Sequence, residues 1–217
     1  MEIKDYLSLI SQTIRNGQPK YTERMVLEAL DHGVTAGDIL NRSFIPTMKD
    51  MGQRYKEDEV YIAKILSAAR AMKYGLRVLK PRLEAEGEDS MHKGKVILGT
   101  VVGDLHDVGK NLVGLMFESA GFEVIDLGID VSEKKFVQAV KDHPDAAIVC
   151  ISSLLTTSLG NMKSIVKALN GMEERKNFRI MVGGAPVTQE FSDEIGADAY
   201  TDNAYDAAEA AKTFVLP

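Results

Sequence analysis

Short apolar runs alternate with segments of helical periodicity from Lys95 onward, and this alternation constrains the fold more than any other feature of the sequence. The predicted strands are Val96–Val102, Glu123–Leu127, Ala146–Ile151, Arg179–Val182 and Asp198–Thr201. The predicted helices cover about Lys110–Ala120, Ser132–Lys141, Ser158–Leu169, Thr188–Ile195 and Asn203–Phe214. Such alternation implies a parallel sheet covered by helices on both faces. We therefore expect an α/β, Rossmann-like fold with five parallel strands in the flavodoxin-like order 2-1-3-4-5 and a ligand site between the first and third strands.

The first 88 residues contain no convincing strand and predict four helices. Apolar residues recur at three- and four-residue spacing in the first helix (Ile3, Leu7, Ile10, Ile14) and in the fourth (Ile62, Ile65, Ala69, Met72, Leu76, Leu79). The second helix includes Met25 to Val34, and the third extends over about Thr35 to Tyr55. Pro46 either breaks the third helix or lies in the first turn of a new helix capped by Ser43. Short connections favour a small four-helix bundle.

A polar stretch, Glu84–Ser90, follows the fourth helix, which we expect Pro81 to end. Its composition is typical of a linker. We therefore predict an all-α domain over residues 1–88 and an α/β domain over residues 93–217.

The overall composition excludes several classes of function. The net charge of −6 without a basic tail argues against nucleic-acid binding. No apolar run is long enough to span a membrane, and the N-terminus lacks a signal-peptide core, so we expect no membrane association. The single cysteine, Cys150, ends an apolar run and is expected to be a buried structural thiol. Nothing indicates an oxidising compartment, and we expect a cytoplasmic protein.

The stretch Gly103–Asn111 lies between the first predicted strand and the helix that follows it. It places His106 at the carboxyl end of a strand, where open α/β sheets bind ligands. Asp104, two residues earlier, can hold one imidazole nitrogen and leave the other free for a metal. Gly103 and Gly109 bracket the turn, which allows the backbone to bend tightly beneath a flat group.

Three other interpretations of this stretch remain open. A phosphate-binding P-loop needs four residues between its glycines and a hydroxyl after its lysine, whereas this chain has five residues and Asn111. An ordinary surface loop with an incidental histidine is also compatible with so short a motif. A zinc site usually needs three protein ligands. The other candidate ligands, His32, His92, His143 and Cys150, form no ligand-spaced pair, which leaves only carboxylates.

Two further loops follow predicted strands. The loop after the third strand, Ser152–Ser158, carries five hydroxyl groups in seven residues, and Thr157 or Ser158 suits the N-cap of the next helix. The loop after the fourth strand contains Gly183-Gly184-Ala185, which suits either an ordinary tight turn or the close approach of a ligand. The expected strand order brings both loops close to Gly103–Gly109.

Together these loops resemble those of the corrinoid carrier subunits of methyltransferase systems and of the related cobalamin domain of methionine synthase. The resemblance implies that His106 is the lower axial ligand of cobalt, that Asp104 holds this histidine, and that Ser158 hydrogen-bonds Asp104. It also implies that the three loops bind cobalamin. The cofactor-binding residues so implied are Gly103, Asp104, Leu105, His106, Asp107, Val108, Gly109, Asn111, Ser152, Leu154, Thr156, Ser158, Gly183, Gly184 and Ala185.

The resemblance extends to the N-terminal half, which is similar to the helical cap that shields the upper face of the corrin in this family. Met51–Tyr55 resembles the Gly-x-x-aromatic element of the cap. Tyr61-Ile62-Ala63 stands where the family often has Phe-Leu-Pro, and Ala63 departs from that pattern. By this resemblance Tyr61 and Ile65 are expected to contact the cofactor.

The function implied is that of a methyl carrier that is not a complete enzyme by itself. A substrate-specific methyltransferase would deliver a methyl group from a small donor, and cobalt would cycle between Co(I) and methyl-Co(III). A second methyltransferase would pass the methyl group to tetrahydrofolate or a thiol, and a reductive activator would restore Co(I). The cofactor would be methylcobalamin or hydroxocobalamin. The main alternative is the cobalamin-binding subunit of an adenosylcobalamin-dependent mutase, which usually lacks such a helical cap.

Two other classes fit less well. A cobalamin-responsive gene regulator needs a DNA-binding segment, for which this chain has neither a basic region nor spare length. A phosphoacceptor receiver domain should have an aspartate at the end of the third strand, where this chain has Ile151-Ser152. The sequence does not reveal the methyl donor, since methanol, methylamines, glycine betaine and aryl methyl ethers all use similar carriers.

Overall fold

The computed structural model describes residues 3–57, 59–85 and 94–215, apart from the side chains of Lys56, Glu84, Ala85 and Ser119. The described residues form two compact units, which we call the helical unit (N-terminal) and the α/β unit (C-terminal). The predicted domain boundary between residues 88 and 93, and most of the predicted linker, lie outside the described residues.

The helical unit consists of α-helices joined by short connections and one π-helical turn. Its elements are α1 (Ile3–Arg15), α2 (Pro19–Asp31), α3 (Ala36–Ile39), the π-helical turn Leu40–Phe44, α4 (Ile45–Lys56) and α5 (Ile62–Ala85). Helix α5 contacts each of the other four helices. The largest fully buried side chains come from apolar stripes of the kind that the sequence shows, and they include Ile10, Ile14, Ile39, Phe44, Met48, Met51, Ile65, Met72, Leu79 and Leu83. The prediction of an all-α N-terminal region is confirmed.

The third predicted helix is divided by the π-helical turn. Pro46 lies in the first turn of α4, where a missing backbone N–H costs little. The expected cap at Ser43 is wrong. The Ser43 hydroxyl is buried and donates to the carbonyl of Leu7 at 3.0 Å. The π-helical turn packs against α1, so this hydroxyl bonds to α1 and does not cap α4.

The prediction that Pro81 ends the fourth helix is also wrong, since α5 continues to Ala85. A proline inside a helix removes one backbone hydrogen bond and strains the preceding turn. Leu79 and Leu83, on either side of Pro81, are both buried. We attribute the continuation of α5 to this packing, which outweighs the local penalty.

The α/β unit alternates strands and helices as the sequence predicts. Its strands are β1 (Lys95–Thr100), β2 (Glu123–Asp126), β3 (Ala146–Ser152), β4 (Arg179–Gly183) and β5 (Ala199–Tyr200). Its α-helices are α6 (Val108–Ser119), α7 (Glu133–Asp142), α8 (Leu159–Asn170), α9 (Gln189–Ile195) and α10 (Ala204–Val215), with 3₁₀ turns at Thr156–Ser158 and Glu173–Asn177. The boundaries coincide with the predicted ones or differ by at most two residues.

The five strands are parallel and lie in the order β2-β1-β3-β4-β5, so the predicted order is confirmed. In the register of β1 with β3, Thr100 lies opposite Ser152 at the carboxyl end of both strands. In the register of β3 with β4, Ser152 lies opposite Gly183. The loops that leave these three strands therefore start side by side.

The core of the α/β unit is formed by buried apolar side chains of the strands and of the helices. It includes Ile97, Val149, Ile151, Ile180 and Val182 from the strands, together with Phe136, Met162, Ile165 and Leu169 from the helices. Cys150 is buried in β3, and this burial raises the pKa of its thiol to about 12. In the described part of the chain, no helix is both long enough and apolar enough to cross a membrane.

Candidate functional site

The side chain of Asp104 is fully buried and organises the turn after β1. Its Oδ1 accepts a hydrogen bond from the backbone N–H of His106 at 3.0 Å, an Asx turn of the kind that aspartate favours. The same oxygen lies 2.6 Å from Nδ1 of the His106 imidazole. Because Nδ1 donates to an ionised carboxylate, Nε2 keeps its lone pair free. The His106 side chain is 52% exposed, so this nitrogen can reach a ligand.

Asp104 is ionised at neutral pH. Burial raises the pKa of its carboxyl group, but hydrogen bonds from the backbone of Leu154, from the backbone of His106 and from the His106 ring more than offset burial, so the pKa is lowered. The Leu154 N–H donates to Asp104 Oδ2 at 2.5 Å. A negative charge therefore stands directly behind the imidazole.

Three loops meet at this edge of the sheet, as the strand order predicts. We call them the β1 loop (residues 101–107), the β3 loop (153–158) and the β4 loop (184–188). The Leu154–Asp104 hydrogen bond joins the β3 loop to the β1 loop. The backbone N–H of Ser153 donates to the carbonyl of Gly183 at 3.1 Å. Gly184 has a φ of +126°, and a Cβ there would lie 1.8 Å from the carbonyl oxygen of Ser153. Glycine at 184 is thus required by the close contact of the β3 and β4 loops.

The direct hydrogen bond from Ser158 to Asp104, which the family resemblance implies, is not formed. The Ser158 hydroxyl is buried and instead donates to the carbonyl of Leu155 at 2.9 Å, and it lies 2.6 Å from the Ser153 hydroxyl. The second oxygen of Asp104 is taken by the Leu154 N–H. Ser158 occupies the N-cap position of α8 but makes no side-chain capping bond. Its link to Asp104 therefore passes through the backbone of the β3 loop.

The surface around His106 is apolar and open. Leu105, Val108 and Leu154 are 68%, 56% and 44% exposed, respectively. A Cβ added at Gly109 would meet no atom within 4 Å, so nothing in the protein itself demands glycine there. Exposed apolar side chains around one free nitrogen, with glycine in place of a side chain, suit a large flat ligand that coordinates this nitrogen.

The remaining predicted site residues lie in the three loops, at the ends of β3 and β4, or in the first turn of α6. Asp107 and Asn111 are exposed and joined to each other, since the Asn111 amide donates to the Asp107 carboxylate at 3.2 Å. Thr156 and Ala185 are exposed, Gly103 is exposed, and Ser152 and Gly183 are half-buried.

The two predicted cap residues differ. Tyr61 is 87% exposed, whereas Ile65 is fully buried on the apolar stripe of α5. Ile65 therefore offers no surface to a ligand in this structure.

The alternative sites lose support from the geometry. Lys110, which a P-loop would need for phosphate, is buried, and its ammonium group contacts both Asp126 carboxylate oxygens at 2.7 and 2.5 Å. Among the described residues, no group of three or more His, Cys, Asp or Glu side chains could hold a zinc ion.

Sequence reasoning missed several residues that shape the β1 loop. Thr100 is buried, and its hydroxyl donates to the carbonyl of His106 at 3.0 Å. The Asn161 amide donates to the carbonyl of Val102 at 2.8 Å. Asp130 contacts the backbone on both sides of Asp104. A Gly-x-Asp sequence after β2 was the only available signal for Asp130, and it is common in ordinary turns.

Comparison with known proteins gives the family. A family model described as a B12 binding domain matches residues 94–211, and a second with the same description matches residues 7–80. A corrinoid protein of Desulfitobacterium hafniense is 36% identical over 210 residues, which cover 96% of this chain and 97% of the relative. This chain belongs to the B12-binding corrinoid proteins. Trimethylamine corrinoid protein 2 of Methanosarcina mazei is also 36% identical to the present chain, over 89% of the present chain and 90% of that relative.

Solved structures agree with this assignment. A cobalamin-binding protein from Desulfitobacterium hafniense has a TM-score of 0.77 and 31% identity over 97% of this corrinoid protein and 98% of that chain. A chain of the methanol:cobalamin methyltransferase complex from Methanosarcina barkeri has a TM-score of 0.83 and 25% identity over 97% of this chain and 80% of that chain. Cobalamin is therefore the cofactor of this corrinoid protein, which belongs with methyltransferase systems rather than with mutases. The half-exposed His106 within an open apolar surface fits such a cofactor.

Proposed function

We propose that this corrinoid protein is the methyl carrier of a methyltransferase system, and that His106 is its lower cobalt ligand. The observation that carries the proposal is the 2.6 Å contact between Asp104 and Nδ1 of His106, which leaves Nε2 free on an exposed surface. Bound cobalamin would supply the chemistry, because its cobalt takes up and releases a methyl group as it changes between Co(I) and methyl-Co(III). The protein supplies orientation, ligation and exclusion of competing reactions.

Asp104 would set the strength of ligation. A carboxylate that accepts the Nδ1 proton increases the electron density at Nε2 and keeps the ring in one orientation. Since Asp104 is buried and held by the Leu154 N–H, it would keep the imidazole in the same orientation whether or not Nε2 is bound to cobalt. Ser158 would affect ligation less than Asp104 does, because it reaches Asp104 only through the backbone of the β3 loop.

The other predicted residues would hold the body of the cofactor. Leu105, Val108 and Leu154 present apolar surface beside His106, and Gly109 leaves space above the first turn of α6. Thr156 and Ala185 lie in the β3 and β4 loops, and Gly183 ends β4, where the nucleotide tail would enter. In the helical unit, exposed Tyr61 is the residue that we propose to shield the upper face of the corrin.

The partners follow from this role. We propose a substrate-specific methyltransferase that delivers the methyl group, a second methyltransferase that transfers it to tetrahydrofolate or a thiol, and a reductive activator. We also propose that the protein works in the cytoplasm, because its single, buried cysteine gives no sign of disulfide formation. The proposal covers small methylated donors as a class: methanol, methylamines, glycine betaine and aryl methyl ethers.

Methyl transfer from each donor tests the function. The cofactor-loaded protein is reduced and incubated with a candidate substrate-specific methyltransferase and with one donor at a time, and the cofactor is then analysed by mass spectrometry. The proposal predicts a methyl upper ligand with one donor, and loss of this methyl group when the second methyltransferase is added together with its acceptor, tetrahydrofolate or a thiol. An adenosyl upper ligand in protein purified from its own cells, together with no methylation by any donor, would overturn it.

A further inference from the structure

Asp130 has an unusual backbone conformation next to the candidate cobalt ligand. Its φ of +52° is the only positive value among the described residues other than glycine. This left-handed region is unfavourable for most side chains, although aspartate tolerates it better than most. Such conformations persist only where surrounding contacts hold them, and they are frequent at functional sites.

The segment around Asp130 runs beside the end of β1. The backbone N–H of Thr100 donates to the carbonyl of Gly128 at 3.0 Å, and the N–H of Val131 donates to the carbonyl of Thr100 at 2.9 Å. The N–H of Val102 in turn donates to the carbonyl of Val131 at 3.0 Å. These bonds continue the pairing of β1 beyond its last residue and hold Asp130 against the β1 loop.

Asp130 makes two hydrogen bonds that bracket Asp104. Its Oδ1 accepts from the backbone N–H of Gly103 at 2.8 Å, and its own N–H donates to the carbonyl of Asp104 at 3.2 Å. The peptide groups before and after Gly103–Asp104 are thus tied to a single residue. Gly103 itself has a φ of +84°, so its backbone belongs to neither a helix nor a strand and depends on individual hydrogen bonds such as those of Asp130.

We propose that Asp130 is a positioning residue for the axial histidine: it fixes the backbone of Asp104, which in turn holds the imidazole of His106. The inference rests on the proposed role of His106 as cobalt ligand. Asp130 is exposed and makes no hydrogen bond to the imidazole, so neither core packing nor a direct bond to the histidine explains its two bonds. Without them the loop gains freedom, and the fraction of molecules with Nδ1 held at Asp104 falls.

Three substitutions separate the features of Asp130. Asp130→Asn keeps an acceptor oxygen and tolerance of the left-handed conformation but removes the charge. Asp130→Gly keeps the conformation and the N–H donor but removes the acceptor. Asp130→Ala removes the acceptor and strains the backbone. Asp142→Asn, at the end of α7, is a control for the loss of an exposed carboxylate in the same unit.

The first measurement uses the protein without cofactor. Amide hydrogen exchange followed by NMR should show Gly103 exchanging about tenfold faster in Asp130→Gly and Asp130→Ala than in the wild type, since its N–H loses its partner. Asp130→Asn and Asp142→Asn should remain close to wild type. The amide of Leu98, inside β1, reports global stability, so its exchange separates a general loss of stability from the local loss at Gly103.

The second measurement uses the cobalamin-loaded protein in the Co(II) state, with ¹⁵N-labelled histidine. Its electron-paramagnetic spectrum gives the fraction of molecules with histidine on cobalt. We expect the ligation equilibrium to weaken about tenfold in Asp130→Gly, the low end for outer-shell partners of metal ligands, and to recover in Asp130→Asn.

The outcomes are distinguishable. If Asp130→Gly keeps wild-type protection of Gly103 and the wild-type fraction of ligated histidine, Asp130 has no positioning role, whereas the proposed function stands. If Asp130→Asn is as impaired as Asp130→Gly, the charge rather than the acceptor matters and the positioning account is wrong. Absence of histidine splitting in the wild type overturns the role of His106 and this inference with it.

Discussion

Nδ1 of His106 lies 2.6 Å from Oδ1 of Asp104, in a pair whose carboxylate is fully buried while the imidazole is half exposed. Burying an ionised carboxylate is unfavourable unless hydrogen bonds compensate. Three donors do so here: the ring of His106, its backbone N–H and the backbone N–H of Leu154. The fold therefore holds the negative charge of Asp104 next to Nδ1 of the imidazole and leaves Nε2, on the opposite side of the ring, for a ligand.

Asp104→Asn tests the charge behind the imidazole. Asparagine keeps the shape, but its amide group must face either the Leu154 N–H or the His106 ring, and it supports the imidazole less strongly. We expect histidine ligation in the loaded protein to weaken by about 10–100-fold. Visible spectra of the Co(II) and Co(III) forms measure the fraction of protein with histidine bound to cobalt. Unchanged ligation in a folded Asp104→Asn protein would remove Asp104 from the account.

The same residue should make the cofactor-free protein sensitive to acid. The folded-state pKa of Asp104 is lower than its unfolded value, so the unfolded state binds more protons between the two pKa values. The contribution of Asp104 is therefore complete above the unfolded pKa and is lost as the pH falls through the folded pKa. Urea unfolding between pH 7 and pH 3 should show a shallower decline in the free energy of unfolding for Asp104→Asn than for the wild type. Equal slopes would contradict this assignment.

Ser158→Ala should have a smaller effect on ligation than Asp104→Asn. The Ser158 hydroxyl contacts Ser153 and the carbonyl of Leu155, so its removal loosens the β3 loop without leaving Asp104 unpaired. We expect a loss of about 1–2 kcal/mol in the free energy of unfolding, about 1 kcal/mol for each of these two neutral hydrogen bonds. Ser153→Ala, which removes the other hydroxyl of the pair, is the matched comparison. A loss of ligation as large as that in Asp104→Asn would instead indicate a direct Ser158–Asp104 bond in the loaded protein.

Removing Asp126 from its ion pair with Lys110 should lower the free energy of unfolding more than removing Lys110. The Lys110 side chain is only 2% exposed, whereas that of Asp126 is 46% exposed. Asp126→Ala leaves a buried ammonium group without its charge partner, and we expect a loss of about 3 kcal/mol in the free energy of unfolding. Lys110→Met leaves a carboxylate that water can solvate and should cost about 1 kcal/mol. Chemical denaturation of both single mutants and the double mutant measures the coupling. A larger loss in Lys110→Met than in Asp126→Ala would contradict this account.

The order of the sheet and the meeting of the loops that form the candidate site could be predicted from the sequence because both follow from general rules. Alternating periodicities define parallel strands with helical crossovers, and the carboxyl ends of such strands share one edge. Asp104 and His106 are two residues apart, so their contact depends only on a local turn. The β1 and β3 loops then meet because their strands are neighbours.

Other features depend on geometry that the sequence does not encode locally. The hydroxyl of Ser158 has several acceptors within reach, and the exact path of the β3 loop decides among them. Lys110 and Asp126 are sixteen residues apart, and only the packing of α6 beside β2 brings them together. Pro81 is tolerated in α5 because buried residues flank it, which a rule based on proline alone cannot anticipate.

If His106 binds cobalt, an electron-paramagnetic spectrum of the Co(II) protein with ¹⁵N-labelled histidine should show that bond. The wild type should show the splitting of one histidine nitrogen on cobalt. His106→Ala should bind cobalamin but lose this splitting, whereas His143→Ala, a control at the end of α7, should keep it. A His106→Ala protein with an unchanged nitrogen splitting would contradict the account.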